Sequence, residues 1–543
     1  MNGGKLIVSS NDTQPDAGAE TTAPSKRDHA QLIKELKERR EQIKMGGGER
    51  RIEAQHAKGK LTARERLAIL LDEGSFQEID PYMTHRHTDF GMGDKKFPGD
   101  SLIAGFGKID GRRVCVYSQD FTILGGSFSE VAGQKIAKLM DLAMDAGVPV
   151  IGLNDSGGAR IQEGVYSLAA YSELFWRNTQ ASGVVPQISV MLGPCAGGSV
   201  YSPGLTDFII MTKGTSHMFI TGPEVIKTVT REEVDMETLG GAIAHASASG
   251  VAHLVGEDEQ MTLALTRKLF NYLPLNNTEA APAIEPTDNP TRRDKELNTI
   301  VPTDPSEAYD MKEVITRIFD RDSFFEIHPY FAQNAIIGFA RLHGQVVGVV
   351  GQQPAMLAGV INIDAADKMA RFIRFADAFN IPLITFVDSP GFMPGVEQEH
   401  GGIIRHGAKI VYAYSEATVP KIAIVTRKAY GGAYIVMGSK YIRTDLVYAW
   451  PTAEIAVMGA EGAVNILHRK ELAKFEGDAE AEQERLTQEF RDKFSNPYRT
   501  AESGHVDEIL IPEETRFKLI QALELMRDKQ QTRRPRKHGT MPL

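Results

Sequence analysis

The sequence predicts an α/β protein in which one domain occurs twice in tandem. Residues 75–82 read SFQEIDPY and residues 323–330 read SFFEIHPY. Farther along, glycines, prolines and Asp-Ser pairs recur at a nearly constant spacing: Gly111 and Gly344, Pro149 and Pro382, Asp155 and Asp388, Pro186 and Pro420, Gly197 and Gly431. A unit this long exceeds the roughly 20–50 residues of solenoid repeats, so it indicates a duplicated domain.

Each copy repeats one order of secondary-structure elements. An apolar strand leads through a small-residue loop into a helix, a Pro-led strand then ends in an Asp-Ser turn, and a third strand ends in a Gly-Gly turn. Apolar strands alternating with helices are typical of a parallel sheet covered on both faces. The predicted strands are 114–117, 148–153, 187–192, 346–350, 381–387 and 421–425, and the helices after the first strands are 129–146 and 364–380.

Two helices are predicted ahead of the first copy. Residues 28–45 carry apolar residues on one side and mostly Lys and Arg on the other, and three glycines end the pattern. Thr62 and Glu65 have the spacing of a capping box, so a second helix begins there and ends at Gly74. Neither helix carries obvious catalytic residues, and we interpret both as packing or subunit-contact elements.

These patterns divide the chain into four predicted parts. Residues 1–27, rich in Ser, Thr, Asp and Ala, are predicted to be a disordered leader. The N-terminal domain spans 28–285 and the C-terminal domain 309–543. Residues 286–308 are rich in proline and poor in apolar residues, which predicts a linker on the surface. The spacing between corresponding residues of the two copies shortens from 248 to 233, which predicts about fifteen extra residues in the first copy, near 84–100.

Composition narrows the function classes. Apolar residues make up 42% and charged residues 24% of the chain, and the formal net charge is −10, so a basic nucleic-acid-binding face is not expected. The basic segment 533–538 is interpreted as a solvated terminus or a subunit contact. Cys115 and Cys195 are too few for a disulfide framework or a four-thiolate zinc site, and they suit a reducing compartment. No apolar run reaches the ~18 residues of a membrane span, and the acidic leader does not resemble a signal peptide, so a cytoplasmic protein is predicted.

The glycine turns at the strand ends are the main candidates for chemistry. A glycine turn between strand and helix brings backbone N–H groups close to a ligand, and two such turns can hold one carbonyl oxygen as an oxyanion hole. Phosphate binding is the rival use, but neither phosphate-binding glycine motif, GxxxxGK[ST] or GxGxxG, is present. The glycines are Gly157, Gly158, Gly197 and Gly198 in the first copy and Gly391, Gly431 and Gly432 in the second.

Side-chain catalysts are poorly supported. Ser156 and Ser389 are possible nucleophiles, but a repeated Ser after Asp is more often a cap that bonds a free N–H. Glu163 is a possible base with no acidic counterpart in the second copy. His400 and His406 have no third ligand at a metal-binding spacing, so no metal is predicted. The pattern favours a site built from backbone donors, with the base supplied by a ligand.

Several long motifs resemble the biotin-dependent carboxyltransferases, and in particular the β subunits of propionyl-CoA and acetyl/propionyl-CoA carboxylases. The resemblance extends from about residue 28 to the final Pro-Leu. The motifs are NDSGGARIQEG (154–164), GPCAGG (193–198), SHMFITGP (216–223), GGIIRHGAK (401–409), RKAYGGAY (427–434) and AWPTAEIAVMGA (449–460).

The resemblance implies two crotonase-like domains in a ring-shaped homohexamer, with acyl-CoA chiefly on the first domain and carboxybiotin on the second. Gly197 and Gly198 would hold the thioester oxygen as an enolate, and Gly432 and Ala433, with Gly431, the urea oxygen of biotin. The family also assigns acyl-CoA contacts to the segment 335–364, although the repeat places that segment in the biotin-side domain. The other substrate-binding candidates are Gly157, Gly158, Ala159, Arg160, Gly391, Tyr434 and Ile435.

The same resemblance implies the partners and the reaction. Biotin would arrive on a separate carrier chain with an α subunit that contains biotin carboxylase and carrier domains, because this chain has no biotinyl Met-Lys-Met motif. Biotin would also act as the base, which explains the missing side-chain base. Propionyl-selective relatives tend to carry Asp where this chain has Ile435, so acetyl-CoA is expected as a substrate beside propionyl-CoA. The alternatives are a biotin-dependent decarboxylase subunit running the half-reaction backwards, a CoA hydratase or isomerase, and a non-catalytic scaffold.

Overall fold

The computed structural model describes residues 28–542, so the predicted leader, 1–27, lies outside the described residues. The chain divides into two units between Met45 and Gly46. The first contains helix α1 (His29–Lys44), which begins with a capping box: Asp28 accepts the Gln31 amide, and the Gln31 side chain bonds back to the Asp28 amide. The predicted amphipathic helix is therefore present.

The second unit begins with the first half of the duplicated fold. Its seven-stranded sheet has the order β1-β2-β3-β4-β5-β7-β9, and a short parallel pair, β6-β8, lies beside it. The strands are β1 (Gln77–Ile79), β2 (Leu102–Ile109), β3 (Arg112–Gln119), β4 (Val150–Asn154), β5 (Gln187–Met191), β6 (Pro194–Ala196), β7 (Phe208–Thr212), β8 (His217–Phe219) and β9 (Leu254–Gly256). The helices are α2 (Glu49–His56), α3 (Ala63–Leu70), α4 (Glu130–Ala146), α5 (Val165–Ala181), α6 (Gly198–Leu205), α7 (Pro223–Val229), α8 (Met236–Gly240), α9 (Ala242–Ser247) and α10 (Glu259–Phe270).

The second half repeats this sheet with the order β10-β11-β12-β13-β14-β15-β17, and β16 pairs with β14. The strands are β10 (Phe325–Ile327), β11 (Ala335–Leu342), β12 (Gln345–Gln352), β13 (Leu383–Ser389), β14 (Lys421–Tyr430), β15 (Leu446–Ala449), β16 (Glu454–Ala456) and β17 (Glu508–Ile509). The helices are α11 (Leu297–Ile300), α12 (Met311–Ile318), α13 (Ile363–Ala378), α14 (Val396–Gly401), α15 (Ile403–Glu416), α16 (Gly431–Val436), α17 (Ala460–Leu467), α18 (Arg469–Leu472), α19 (Ala479–Phe494), α20 (Pro497–Glu502) and α21 (Thr515–Leu525).

Each sheet contains an antiparallel hairpin that was not predicted from the sequence. Strands β2 and β3 pair antiparallel, as do β11 and β12, and the following strands are parallel. The repeated Gly111 and Gly344 form the hairpin turns, each with φ +78, and the residues before them, Asp110 and His343, also have positive φ. Two successive positive φ values are those of a type I′ turn, which explains why glycine recurs here.

The predicted insertion lies between the first two strands. Residues 80–101 join β1 to β2, whereas only residues 328–334 join β10 to β11. The difference accounts for the change in repeat spacing from 248 to 233. The fold therefore confirms that the copies differ by an inserted loop and share the rest of the sheet.

The two halves share packing across their junction. Phe208 of β7 packs edge-on against Phe339 and Phe375 of the second half. The amide of His328 donates to the His253 carbonyl at 3.0 Å, and the two imidazole rings stack with centroids 4.1 Å apart. The junction is thus an apolar core closed by a direct backbone hydrogen bond.

The proline-rich segment between the copies is more than a surface linker. Leu297 and Val301 are buried in the apolar core of the second half, and the carbonyls of Asp304 and Glu307 accept hydrogen bonds from Arg427 of β14. The segment belongs structurally to the second half, while the predicted domain boundaries stay predictions.

Candidate active site

The Asp-Ser turns after β4 and β13 have the same local geometry in both halves. The side-chain oxygen of Gln119 accepts the Asp155 amide at 2.9 Å, and that of Gln352 accepts the Asp388 amide at 3.1 Å. Each pair of residues is 233 positions from its counterpart. The repeat therefore preserves a glutamine that fixes the backbone of each turn.

The two serines of these turns bond backbone amides. Ser156 Oγ accepts the amide of Gly158 at 3.1 Å, and Ser389 Oγ accepts that of Gly391 at 3.3 Å. Both serines are fully buried. This confirms the predicted capping of free N–H groups, although each serine caps a turn and not the start of an α-helix.

The first glycine pair opens helix α6. Gly197 has φ +60, and its amide donates to the Phe219 carbonyl of β8 at 3.1 Å. Gly198 is the first helical residue, and such an amide has no carbonyl partner within its helix. A Cβ on Gly198 would lie 3.3 Å from the Tyr171 ring, a tight contact. Of the predicted pair, Gly198 is the residue whose amide is available to a ligand.

The second glycine pair also opens a helix, α16, which begins one repeat position earlier, at Gly431. Gly431 has φ +55, and a Cβ there would lie 2.9 Å from the Val457 carbonyl oxygen, so glycine is required. Gly432 is exposed, and the only atom near its Cβ position is a Phe392 ring carbon at 3.9 Å. Ala433, the next residue, is buried. By the repeat, Gly198 corresponds to Gly432, so the predicted pairs 197–198 and 432–433 are offset by one residue.

A further repeated turn was missed by the sequence interpretation. Residues 124–126 and 357–359 follow β3 and β12, and all six have φ between +49 and +74. Leu124, Leu357 and Ala358 adopt this left-handed conformation despite a cost of roughly 1–2 kcal/mol per residue. The Gly125 carbonyl accepts the Gly157 amide at 2.9 Å, which joins this turn to the Asp-Ser turn. The signal in the sequence was LGG recurring as LAG, 233 residues later.

Arg160, predicted to bind substrate, is buried within the first half. Its guanidinium donates to Asp100, Glu163, Ser101 and to the hydroxyl and carbonyl of Ser127, so all five N–H groups are engaged. No N–H group is left for a substrate phosphate. The contacts support a role in holding the turn, and the predicted substrate contact stays untested.

The neighbouring candidates are also engaged in the fold. Glu163 accepts the Glu130 amide at the start of α4 as well as the Arg160 bond, so its carboxylate is committed to structure. Ala159 is half-buried and bridges in parallel register to Phe128. Gly157 is the exposed member of this turn.

A buried charge network lies beneath the first turn. Asp155, fully buried, accepts hydrogen bonds from Lys60 at 2.8 Å, Arg66 at 2.9 Å and Gln55 at 3.1 Å. Arg66 also pairs with Glu259 of α10. Burial lowers the pKa of Lys60, an effect that the Asp155 carboxylate opposes. Burial also raises the pKa of the Cys195 thiol to about 12, so this cysteine is inert as a nucleophile.

The second turn has a different charge partner. The Asp388 carboxylate accepts from Arg427 Nε at 3.0 Å and from the Lys428 amide at 3.1 Å. Burial raises the pKa of Asp388, and the Arg427 guanidinium opposes that rise. Arg427 also lies over the Tyr309 ring, 4.9 Å from its centroid.

The remaining predicted residues lie in the second half. Tyr434 is buried, and its hydroxyl has no hydrogen-bond partner among the described residues, whereas Ile435 is 42% exposed. The segment 335–364 contains β11, β12 and the left-handed turn at 357–359. His406 bonds Asp367 at 2.8 Å, and His400 is exposed. Within residues 28–542, no group of three His, Cys, Asp or Glu side chains is placed to hold a metal ion.

Comparison with known proteins identifies the family. Residues 54–541 match the carboxyl transferase domain family, and the chain belongs to that family. A propionyl-CoA carboxylase carboxyltransferase subunit from Haloferax mediterranei is 56% identical over 94% of this chain and 99% of its own length. A methylmalonyl-CoA decarboxylase subunit alpha from Veillonella parvula is 53% identical over 94% of this chain and 99% of its own.

The solved structure of transcarboxylase 12S has the same fold. It superposes with a TM-score of 0.93 at 48% identity, and the match covers 96% of this chain and 100% of its own. Transcarboxylase 12S forms a hexamer assembly, and its structure contains bound methylmalonyl-CoA. These comparisons confirm that the chain is a carboxyltransferase with two crotonase-like halves. In the part of the chain that the structure describes, no helix is both long and apolar enough to cross a membrane.

Proposed function

We propose that this chain is the carboxyltransferase subunit of a biotin-dependent acyl-CoA carboxylase and transfers a carboxyl group to the α-carbon of a short-chain acyl-CoA. The observation that carries the proposal is the repeated glycine turn. Gly198 and Gly432 occupy equivalent positions at the start of α6 and α16, each with a backbone amide free of its helix. Two equivalent donor sites suit a reaction in which negative charge develops on two different oxygens.

In the first half, Gly197 and Gly198 are assigned to the thioester oxygen of the acyl-CoA. Since the Gly197 amide is bonded to the Phe219 carbonyl, Gly198 supplies the donor. One such donor is worth ~2.7–4 kcal/mol to a charge that develops in the transition state. These residues stabilise the enolate formed when the α-proton leaves.

In the second half, Gly431, Gly432 and Ala433 are assigned to the urea oxygen of biotin. The fit is supported by the open space at Gly432, where a Cβ would meet a single ring carbon at 3.9 Å, so a ligand oxygen can approach the amide. When bound, biotin supplies the transferable carboxyl group and a basic oxygen for the α-proton. This assignment suits a chain whose Ser156, Ser389 and Glu163 are engaged in structural hydrogen bonds.

The proposal extends to the partners. Biotin arrives on a separate carrier chain together with an α subunit that contains biotin carboxylase and carrier domains, and this chain assembles as a homohexamer in the cytoplasm. The hexamer is supported by the similarity to transcarboxylase 12S, which forms a hexamer.

Propionyl-CoA is the proposed main substrate, with acetyl-CoA accepted as well. Relatives named as propionyl-CoA carboxylase support the first part, and the apolar Ile435 supports the second. The products are methylmalonyl-CoA and malonyl-CoA. Tyr434, Gly391 and the turn 157–160 are proposed to shape the acyl-CoA site.

The deciding experiment is a carboxylation assay of the full-length chain with a biotin-bearing α subunit against acetyl-, propionyl- and butyryl-CoA. We expect ATP-dependent incorporation of labelled bicarbonate with propionyl-CoA preferred. Absence of incorporation with all three substrates would refute the proposal.

The second candidate function is a biotin-dependent decarboxylase subunit. Its support is the pair of decarboxylase relatives from Veillonella parvula and Propionigenium modestum, which are 53% and 52% identical. Co-purification of the chain with membrane subunits, and methylmalonyl-CoA decarboxylation coupled to ion transport, would favour this direction over carboxylation.

A further inference from the structure

Each glycine turn is attached to a neighbouring short strand at an equivalent position. Strand β6 pairs with β8 so that Pro194 lies opposite His217, and β14 pairs with β16 so that Lys428 lies opposite Glu454. Pro194 and Lys428 are separated by the 234 residues that also separate Gly198 from Gly432. His217 and Glu454 are therefore equivalent residues of the two halves.

Both equivalent residues contact a side chain of opposite acid–base character on a helix that follows them. In the first half, His217 Nε2 lies 3.0 Å from a carboxylate oxygen of Glu237 on α8. In the second half, Glu454 lies 3.5 Å from Arg491 Nε on α19. The strand carries the basic group in one half and the acidic group in the other, so the two pairs have reversed polarity.

The second pair extends to the glycine turn itself. The Tyr430 hydroxyl donates to the other carboxylate oxygen of Glu454, which is 8% exposed. Tyr430 is the last residue of β14 and directly precedes Gly431. The chain of contacts thus runs from helix α19 through Glu454 to the residue that starts the turn.

The loop between β16 and α17 packs against the same turn. A Cβ on Gly459 would lie 3.3 Å from the Tyr430 ring, and a Cβ on Gly431 would lie 2.9 Å from the Val457 carbonyl oxygen. The loop that leads into helix α17 therefore packs against the turn that presents the Gly432 amide. The first half has Ala196 at the position of Tyr430, so its His217–Glu237 pair reaches the turn through the backbone of β8, whose Phe219 carbonyl accepts the Gly197 amide.

We propose that Tyr430, Glu454 and Arg491 are positioning residues for the biotin-side turn, and that His217 and Glu237 position the acyl-CoA-side turn. Each pair of side chains fixes the position of a helix of its own half relative to the glycine turn beside it. The assignment of biotin and acyl-CoA to the two turns rests on the proposed function, whereas the contacts are those of the structure.

The test separates the two sides of the reaction kinetically. The full-length chain is assayed for decarboxylation of methylmalonyl-CoA with free biotin as the carboxyl acceptor, and each substrate is titrated in turn. Glu454→Gln should raise the KM for biotin by about tenfold to 10²-fold, the size of effect that a displaced site produces. Its KM for methylmalonyl-CoA should change less than about twofold. Glu237→Gln is the matched variant and should show the reverse pattern.

Two further variants guard against a misfolded Glu454→Gln protein. Tyr430→Phe removes one hydroxyl and should reproduce the biotin-side defect in a weaker form, and Glu454→Asp should restore part of the loss. Assembly mass and thermal midpoint are measured for each variant. Equal changes in both KM values, or no change in either, would overturn the positioning roles. A wild-type chain that transfers no carboxyl group to biotin would refute the proposed function instead.

Discussion

The two halves of the chain share a backbone plan and differ in the charges that support it. In both, a glutamine and a serine fix the Asp-Ser turn at the same repeat positions. In the first half the aspartate is held by Lys60 and Arg66, which lie about ninety residues earlier in the chain. In the second half the aspartate is held by Arg427 of the adjacent strand. The repeat therefore preserves backbone geometry, and each copy supplies its own counter-charge.

Burial sets the direction of one pKa shift in each charge network. Burial moves the pKa of Lys60 down and that of Asp388 up, in each case against the opposite charge beside it. Such pairs add little net stability compared with apolar packing, but removal of one partner leaves a buried charge unpaired. The networks are therefore best understood as constraints on the position of the turns.

The largest expected effect tests whether both halves act through a backbone amide. Gly198→Pro and Gly432→Pro each delete one N–H donor, and turnover should fall by about 10²–10³ in each. Gly432→Ala keeps the amide and has room for its Cβ, so it should retain most activity. Steady-state carboxylation kinetics measure all three. Normal turnover in a correctly assembled Gly198→Pro enzyme would restrict the oxyanion role to the second half.

The next effect sharpens the comparison of the charge networks. Asp155→Asn leaves Lys60 and Arg66 with only Glu259 as a charge partner, and loss of one partner of a buried pair costs about 3–5 kcal/mol. Asp388→Asn should cost less, because Arg427 keeps two backbone carbonyl acceptors, whereas the buried Lys60 ammonium has Asp155 as its one hydrogen-bond acceptor among the described residues. Urea denaturation of the two variants gives the difference. Equal losses would show that the networks are energetically equivalent despite their different composition.

The junction between the halves should weaken in acid. Burial lowers the pKa of His328 to about 3 and that of the stacked His253 well below its usual value, with Lys368 and Arg371 adding unfavourable charge. The folded chain therefore favours neutral rings, so this stability is complete above pH ~6.5, the ordinary histidine pKa, and is lost as pH falls toward about 3.

The control for this pH effect is His328→Asn, since asparagine tolerates the positive φ of +55 at that position. The thermal midpoint of the variant should fall less between pH 7 and pH 4.5 than that of the wild type. A variant and a wild type with the same pH dependence would exclude His328 as an acid-sensitive group.

The smallest expected effect concerns the acyl chain. Ile435 is 42% exposed and follows the second glycine turn. In the proposed role of meeting the acyl tail, an apolar side chain would discriminate by packing alone. Apolar contacts separate homologues by ~1–3 kcal/mol per methylene, so acetyl- and propionyl-CoA turnover should differ by roughly 10–200-fold. Ile435→Asp should shift the ratio toward propionyl-CoA, mostly by lowering acetyl-CoA turnover. An unchanged ratio of kcat/KM values would remove this residue from the specificity determinants.

The comparison of halves also shows where sequence reasoning was sufficient. Periodic apolar strands and repeated glycines predicted both sheets, the inserted loop and the turns that open α6 and α16. These features depend on local backbone preferences, which a sequence states directly. The repeat of Gly111 as Gly344 did not by itself predict the antiparallel hairpins, because the type I′ turn also depends on positive φ at the preceding residues, Asp110 and His343.

The hydrogen-bond partners of the candidate site residues could not be predicted from the sequence. The Gly197 amide is occupied by a carbonyl of β8, and all five N–H groups of Arg160 are bonded inside the first half. Apart from the Arg160–Glu163 bond, these contacts join segments that are distant along the chain, so no local pattern indicates them. The left-handed turns at 124–126 and 357–359 are marked by the recurrence of LGG as LAG, but leucine and alanine by themselves do not indicate positive φ.

The sequence by itself therefore determined the duplicated α/β plan, the position of the glycine turns and, through its motifs, the carboxyltransferase family. Only the tertiary structure decided which amide of each turn is open and which charges support it. The reason is physical: the alternation of strands with helices and the turn glycines follow from local conformational preferences, whereas Asp155 acquires Lys60 and Arg66 only when helix α3 packs against the strand ends.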